Sequence, residues 1–267
     1  MIYIYANDSD LSVNSVIEWL RYYKVDYTRN NNFTKLNPLN NDDTIWVRKT
    51  CKRIESSVFK YNFTLTKDDI NKIAKENGLL LPKNYTEIAE VKKVFKKKKK
   101  LIVKPKKEVT TLNVNDENLV NYTTLIDGVN NYHLFLKVLS ENFVQEYIKA
   151  DFELRVFFVK SKIFSCAVFR KTNSCQNISD IRFEIANSNV FYEKMDIPKH
   201  LINKILRLFK SLDIDFGCID FIVKKNQYYF LEINQMGQFE EYSQKANLNI
   251  EREIVTQILN NGKKILS

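Results

Sequence analysis

The sequence predicts an α/β fold of the mixed α+β kind, built from three parts. Three observations predict it. A β-α-β pattern opens the chain, a cluster of capped helices follows, and from Asn142 onward the pattern is strongly β, ending in a hairpin at Gly217–Phe239. The chain has 267 residues, 44% apolar and 28% charged, enough for a sizeable core shared by two or three subdomains.

Residues 2–6 read as a first strand. Ser12 to Tyr23 reads as a helix with Val13, Val16, Ile17 and Leu20 on one face, and Val25–Thr28 and Thr44–Lys49 read as further strands. Asn30 to Asp43 is a polar loop. The first domain is expected over residues 1–62. Thr66 caps a helix ending at Asn77, with acids in its first turn and Gly78 just past its end. Leu79–Leu81 leads into Pro82, a short helix spans Glu87 to Phe95, and five lysines (Lys96–Lys100) precede the strand Leu101–Lys104 and Pro105. The central subdomain is expected over 63–142, with Asn118 to Leu136 left unassigned. Over 143–267, strands are expected at Phe143–Ile148, Phe152–Val159 and Lys162–Arg170, then a helix from Pro198 and an amphipathic C-terminal helix, Ile250–Leu266.

Composition excludes several classes. No run of eighteen apolar residues is present, so no membrane span is expected. The start, MIYIYANDSD, lacks the basic leader and apolar h-region of a signal peptide. Four cysteines without paired spacing and only two histidines, His133 and His200, argue against a disulfide framework, a zinc site or histidine-based catalysis, and a reducing cytoplasm is the expected location. The net charge of +10 suggests an acidic partner. No RNP, helix-turn-helix or zinc-finger signature accompanies it, so nucleic acid is not the expected partner. The lysine run read alone is a solvated turn.

The hairpin carries the clearest chemistry. Residues 218–223 and 228–233 are rich in β-branched and aromatic types, with Lys225 and Asn226 between them. Glu232 and Asn234 share a face of their strand. A three-residue loop, Lys225 to Gln227, would set Asp220 opposite Glu232, and three side-chain oxygens would converge. Such a set suits a hard cation such as Mg²⁺. The acids interrupt strands whose neighbours, Phe221, Ile222, Leu231 and Ile233, are apolar, and polar groups there are costly unless something pairs with them.

Upstream, phosphate-friendly residues appear in order: Lys104 in IVKP, Gln145-Glu146-Tyr147-Ile148, Glu153-Leu154-Arg155, Arg170 and Asp180-Ile181-Arg182. Taken singly, each is an ordinary surface residue. The ordered series, with the late D…E-x-N hairpin, resembles the ATP-grasp superfamily from about Lys67 to Phe239. Within it the chain looks most like the microviridin-type (graspetide) peptide maturases of the grasp-with-spasm branch, through MIYIYANDSDLSVNSVIEWL, IWVRKT, ENGLLLPKNY, QEYIKADFELRVFFV, SDIRFE and LEINQMGQF.

The resemblance implies an ATP-grasp fold with ATP between the central and C-terminal subdomains. It implies nucleotide phosphate contacts for Lys104 and Lys67, an adenine hinge at Gln145, Glu146, Tyr147 and Ile148, and a ribose contact for Glu153. Arg155 and Arg182 fall near the γ-phosphate and the acyl phosphate, and Asp220, Glu232 and Asn234 match magnesium ligands. The implied activity is ATP- and Mg²⁺-dependent joining of Asp or Glu carboxylates of a ribosomal precursor peptide, leader plus core, to Thr, Ser or Lys side chains. A ligase for another protein or small molecule is the first alternative. A non-catalytic binding module or a basic nucleic-acid-binding protein is the second. One departure stands out: Lys106 to Leu112 (KKEVTTL) has no glycine where many ATP-grasp enzymes carry a phosphate-covering loop. Bond type, ring pattern and oligomeric state, a homodimer included, are not legible.

Overall fold

The computed structural model describes residues 1–31, 40, 42–48, 55–97, 100–105, 111–114, 117–120, 124–126, 142–170 and 190–264. The chain opens with β1 (Ile2–Tyr5), α1 (Leu11–Tyr22), β2 (Tyr27–Asn30) and β3 (Thr44–Val47). Their sheet is parallel, in the order β2-β1-β3. Strand β2 starts two residues later than the sequence predicts. Lys24 takes a left-handed conformation (φ 54°), and the Val25 N–H returns to the Leu20 carbonyl at 3.0 Å, so the chain is still closing α1 there. Asp10 caps α1 by accepting from the Val13 N–H at 3.2 Å.

Helix α2 (Lys67–Glu76) begins in a capping box between Thr66 and Asp69, which satisfies two of its unpaired N–H groups reciprocally. Gly78 (φ 79°) ends it. Helix α3 (Ile88–Lys96) and strand β4 (Leu101–Pro105) follow. Before and within the stretch without a sequence assignment lie β5 (Thr111–Val114), β6 (Glu117–Val120) and β7 (Thr124–Ile126). Strands β5 and β6 form a separate hairpin, while β7 flanks β4, with β8 (Asn142–Glu146) on the other side. Tyr85, Val91, Val94, Leu101, Val103 and Val144 form the small core of this part.

The largest sheet is five-stranded and antiparallel, built from β9 (Phe152–Val159), β10 (Lys162–Arg170), β11 (Val190–Lys194), β12 (Phe216–Lys224) and β13 (Gln227–Asn234), in the order β11-β10-β9-β12-β13. Helix α4 (Lys199–Leu212) packs with α2 on one face, over Leu154, Val156, Phe158, Ile219, Phe221 and Val223. Phe158 stacks on Phe209 with ring centroids 3.8 Å apart. On the other face, Phe157, Val159, Cys166, Val168, Phe216 and Cys218 join one core with β1, α1, Trp46 and the last helices, α5 (Glu240–Lys245) and α6 (Ile250–Lys264). The parallel unit at the start of the chain therefore buries its core against the end of the chain.

The segment after α2 ties the two antiparallel sheets together. The Phe230 N–H donates to the Leu80 carbonyl at 2.7 Å, and four residues on, Asn84 bridges to Gln145 of β8. A cleft lies between the sheets beside this tie. Among the described residues no helix is long and apolar enough to cross a membrane.

Candidate functional site

The hairpin turn has two residues, not three. Lys225 and Asn226 both take positive φ (48° and 60°), and Lys224 pairs with Gln227. That is the backbone of a tight hairpin turn whose twist matches the strands. With that loop alone, Asp220 would face Leu231. A β-bulge between Asp220 and Phe221 corrects the register: Phe221 pairs with Phe230 and Asp220 with Glu232, leaving Leu231 as the extra residue. The expected Asp220–Glu232 pairing therefore forms by another route. A bulge re-aims side chains, and here Leu231, Glu232 and Ile233 all line the cleft.

The cleft is partly open to solvent and is lined also by Lys67, Ile70, Asn71, Lys104, Phe143 and Gln145. Lys67 sits at the first position of α2, and its Nζ lies 3.8 Å from Glu232 Oε2. Burial pulls the Lys104 ammonium below its ordinary pKa, against the attraction of Glu232 and Asp220.

Arg155 pairs with Asp220 across the β9–β12 ladder. Its Nε lies 2.9 Å from Oδ1 and its Nη2 3.2 Å from Oδ2, a two-pronged grip that fixes the plane of the carboxylate. The guanidinium lies over the Tyr242 ring, 4.6 Å from its centroid. Burial opposes the Arg155 charge, but the paired Asp220 carboxylate, with Glu153 adding to it, holds the guanidinium pKa above its ordinary value. Burial also raises the Asp220 carboxyl, against the pull of Arg155, and Glu232 adds to the rise. Two carboxylates side by side repel unless a cation lies between them.

Asn234 is exposed at the end of β13, opposite Cys218. Its Oδ1 accepts from the Met236 N–H at 2.9 Å. One lone pair of that oxygen is occupied and the other remains. Glu153 forms an ion pair with Arg170. Gln145 is buried and donates from Nε2 to Asn84 Oδ1 at 2.8 Å. Glu146 accepts from the Lys83 N–H at 3.0 Å. Tyr147 and Ile148 fall just past β8, Tyr147 exposed and Ile148 buried. Arg182 lies outside the described residues.

The structure thus brings Lys67, Lys104, Gln145 and Glu232 to one cleft and joins Asp220 to Arg155 and Glu232 beside it. Sequence reading missed Asn71 and Phe143 in the lining, Tyr242 under Arg155, and the buried pair of Arg48 and Asp10. The signal for the last was a basic residue directly after the apolar strand Thr44–Val47. Among the described residues no three His, Cys, Asp or Glu side chains converge on a metal site; the candidate set is two carboxylates and an amide.

The RimK-like ATP-grasp domain matches residues 79–258. No curated protein matches the chain in sequence. Among solved structures, a Chryseobacterium gregarium RiPP-associated ATP-grasp ligase, in complex with ADP and a leader and core peptide, superposes with a TM-score of 0.75 at 18% identity, over 97% of this chain and 96% of its own. The macrocyclase MdnC from Microcystis aeruginosa MRC, bound with precursor peptide MdnA, gives 0.69 at 18% identity, over 97% and 99%. A D-alanine–D-alanine ligase from Bacillus anthracis gives 0.64 at 14% identity, over 99% and 97%. These likenesses establish the fold.

Proposed function

The chain belongs to the RimK-like ATP-grasp family, and on that footing we propose that it is an ADP-forming ligase that cross-links side chains of a ribosomally made precursor peptide in the cytoplasm. The observation that carries the ligase reading is the cleft lined by Lys67, Lys104 and Glu232, with the Arg155–Asp220 pair beside it. Cations there would neutralise phosphate oxygens, and the carboxylates would hold a metal ion that offsets phosphate charge. The peptide part is supported by the two peptide-bound fold relatives, similar over the whole chain. The net charge of +10 suits an acidic peptide.

The donor set fits Mg²⁺. Two carboxylates and an amide oxygen leave coordination positions for phosphate oxygens and water, as this ion prefers, and the Asp220–Glu232 repulsion is relieved by a cation between them. Asp220, Glu232 and Asn234 would hold it. When bound, MgATP supplies the γ-phosphoryl group, and the metal draws charge from the transferring oxygens.

The chain's own residues orient and neutralise. Lys67 and Lys104 bind phosphate oxygens; Lys104, already short of solvation, gains from an added anion. Arg155 holds Asp220 in plane. Gln145 to Ile148 offer a strip for adenine, and Glu153, steadied by Arg170, faces the ribose. A carboxylate oxygen of the peptide attacks the γ-phosphorus; the bond to the β-phosphate oxygen breaks, giving ADP and an acyl phosphate. A Thr or Ser hydroxyl, or a Lys amine, then attacks the carbonyl, loses its proton, and inorganic phosphate leaves. Arg182 stabilises the oxyanion. Each bond removes one water from the peptide.

The test is incubation with ATP, Mg²⁺ and the precursor peptide encoded beside this gene, followed by mass spectrometry. Loss of one water mass per bond with matching ADP is expected; no mass loss and no ADP would overturn the reading. The fold shared with the D-alanine–D-alanine ligase supports a second reading, a small-molecule carboxylate–amine ligase. ADP release with amino acids, and none with the peptide, would favour it.

A further inference from the structure

The loop that follows the metal hairpin is held almost residue by residue from outside its own sheet. The Gln235 side-chain amide clasps the backbone of Asn62, with Oε1 accepting from its N–H and Nε2 donating to its carbonyl, both at 2.6 Å. The Met236 and Gly237 carbonyls accept from Arg48 Nη2, each at 3.3 Å. Ser12 Oγ donates to Gln238 Oε1 at 2.8 Å and accepts from the Phe239 N–H at 2.9 Å. Ser12 and Arg48 belong to the parallel unit at the start of the chain. They stand 226 and 189 residues from the loop partners Gln238 and Gly237.

Arg48 is the costly member of this set. Its side chain is fully buried and its Nε pairs with Asp10 Oδ2 at 3.3 Å. Its guanidinium lies 5.6–6.0 Å from the ring centroids of Trp46, Phe216 and Phe239. Apolar replacements for a buried ion pair often serve stability as well or better. What an apolar residue cannot do is draw two consecutive carbonyls onto one nitrogen. Gly237 takes up the resulting close approach: a Cβ there would stand 2.7 Å from Cys218 Cβ, two residues from Asp220 on β12.

Met236 links this clamp to the cation site. Its carbonyl is held by Arg48, and its N–H is the donor that fixes Asn234 Oδ1. Tethering that oxygen by one lone pair leaves the other pointed outward, and keeps the amide NH₂, which cannot bind a cation, turned away.

We propose that Arg48, braced by Asp10, is a positioning residue for the divalent cation, acting through Met236 on the amide of Asn234. The proposal rests on the reading of Asp220, Glu232 and Asn234 as metal ligands. It makes the first domain part of the metal site, although none of its atoms would touch the ion.

Binding of Mn²⁺ to the ADP complex, read from the free Mn²⁺ signal by electron paramagnetic resonance, tests it without turnover. Arg48→Lys keeps the charge but cannot reach Asp10 and both carbonyls; Asp10→Asn keeps the helix cap but frees Arg48. Each is expected to weaken Mn²⁺ binding by roughly tenfold or more, with ADP affinity in the absence of metal unchanged. Arg48→Lys should lose less than Arg48→Met. Unchanged Mn²⁺ affinity in whichever of Arg48→Lys and Asp10→Asn folds would overturn the proposal. So would an equal loss of metal-free ADP binding, or failure of both to fold. Asn234→Ala separates the two levels. If it loses Mn²⁺ while Arg48→Lys does not, only the positioning role falls; if it binds Mn²⁺ like the wild type, the ligand reading falls with it.

Discussion

On one face of the five-stranded sheet, the central strands β9 and β12 carry charged side chains towards one end and apolar ones towards the other. Along β9 the side chains of that face run Glu153, Arg155, Phe157, Val159, and beside them on β12 run Ile222, Asp220, Cys218, Phe216; β10 differs, with Val168 and Cys166 level with Glu153 and Arg155, and Lys162, paired with Glu253, level with Val159. The apolar end is sealed by the parallel unit and the C-terminal helices. The charged end lies beside the cleft, and burial works against both the Asp220 carboxylate there and the Lys104 ammonium in the cleft lining. Arg155 stands at the seam, gripping Asp220 and lying over Tyr242 of the core. Stability and chemistry are thus separated along the strands rather than between faces, and the two ends should respond oppositely to substitution.

The largest expected effect is at the charged end. Glu232→Gln removes a proposed metal ligand and one of two facing carboxylates. ADP formation should fall by roughly a thousandfold, while the thermal midpoint stays level or rises. Normal turnover would remove Glu232 from the site.

At the seam, Arg155→Met leaves Asp220 without its two-pronged partner. Both groups are about a quarter exposed (24% and 21%), and a loss of about 1–3 kcal/mol is expected, together with weaker turnover. The sign of the pH dependence follows from the raised Asp220 pKa. The folded state holds that proton above the unfolded pKa, so this group's stabilisation is full below that value and is lost as pH rises through the folded one. Without Arg155 that window should widen upward in pH, which urea unfolding at several pH values would read. A window unchanged from the wild type would contradict the role given to Arg155.

At the apolar end, Val159→Ala, in a fully buried position, should cost about 2 kcal/mol by analogy with other large-to-small changes. ADP formed per folded molecule should not change. A turnover defect exceeding the folding defect would blur the division between the ends. The smallest effect belongs to Thr66→Ala, which opens the capping box of α2. It should cost about 1 kcal/mol and disturb Lys67 only slightly, so a large rise in the KM for ATP would show that the helix start is tuned for the nucleotide.

Much of this was legible in the sequence, for physical reasons. Two acids and an amide on otherwise apolar strands announced a site, and helix caps and strand alternation marked most elements. The bulge at Leu231 was not legible, because alternation cannot reveal one inserted residue on a strand with apolar positions on both sides. The turn residues Lys225 and Asn226 were legible, but the loop length was not: no glycine marks it, and Lys225 takes a positive φ that such side chains rarely adopt. Arg155 had been read as a phosphate residue; its grip on Asp220 depends on a strand pairing 65 residues apart. Arg48 was hidden in the same way, since its partners lie at the far end of the chain.

The central claim is that the charged end of this sheet face is a magnesium–nucleotide site. Its most direct test is a crystal structure of the protein with ADP and Mn²⁺, the metal located by anomalous scattering. The account predicts an ion held by oxygens of Asp220, Glu232 and Asn234 at about 2.1 Å, close to the distance for Mg²⁺, with ADP phosphates reaching Lys67 and Lys104. Nucleotide in the cleft with the metal bound away from all three side chains would contradict it.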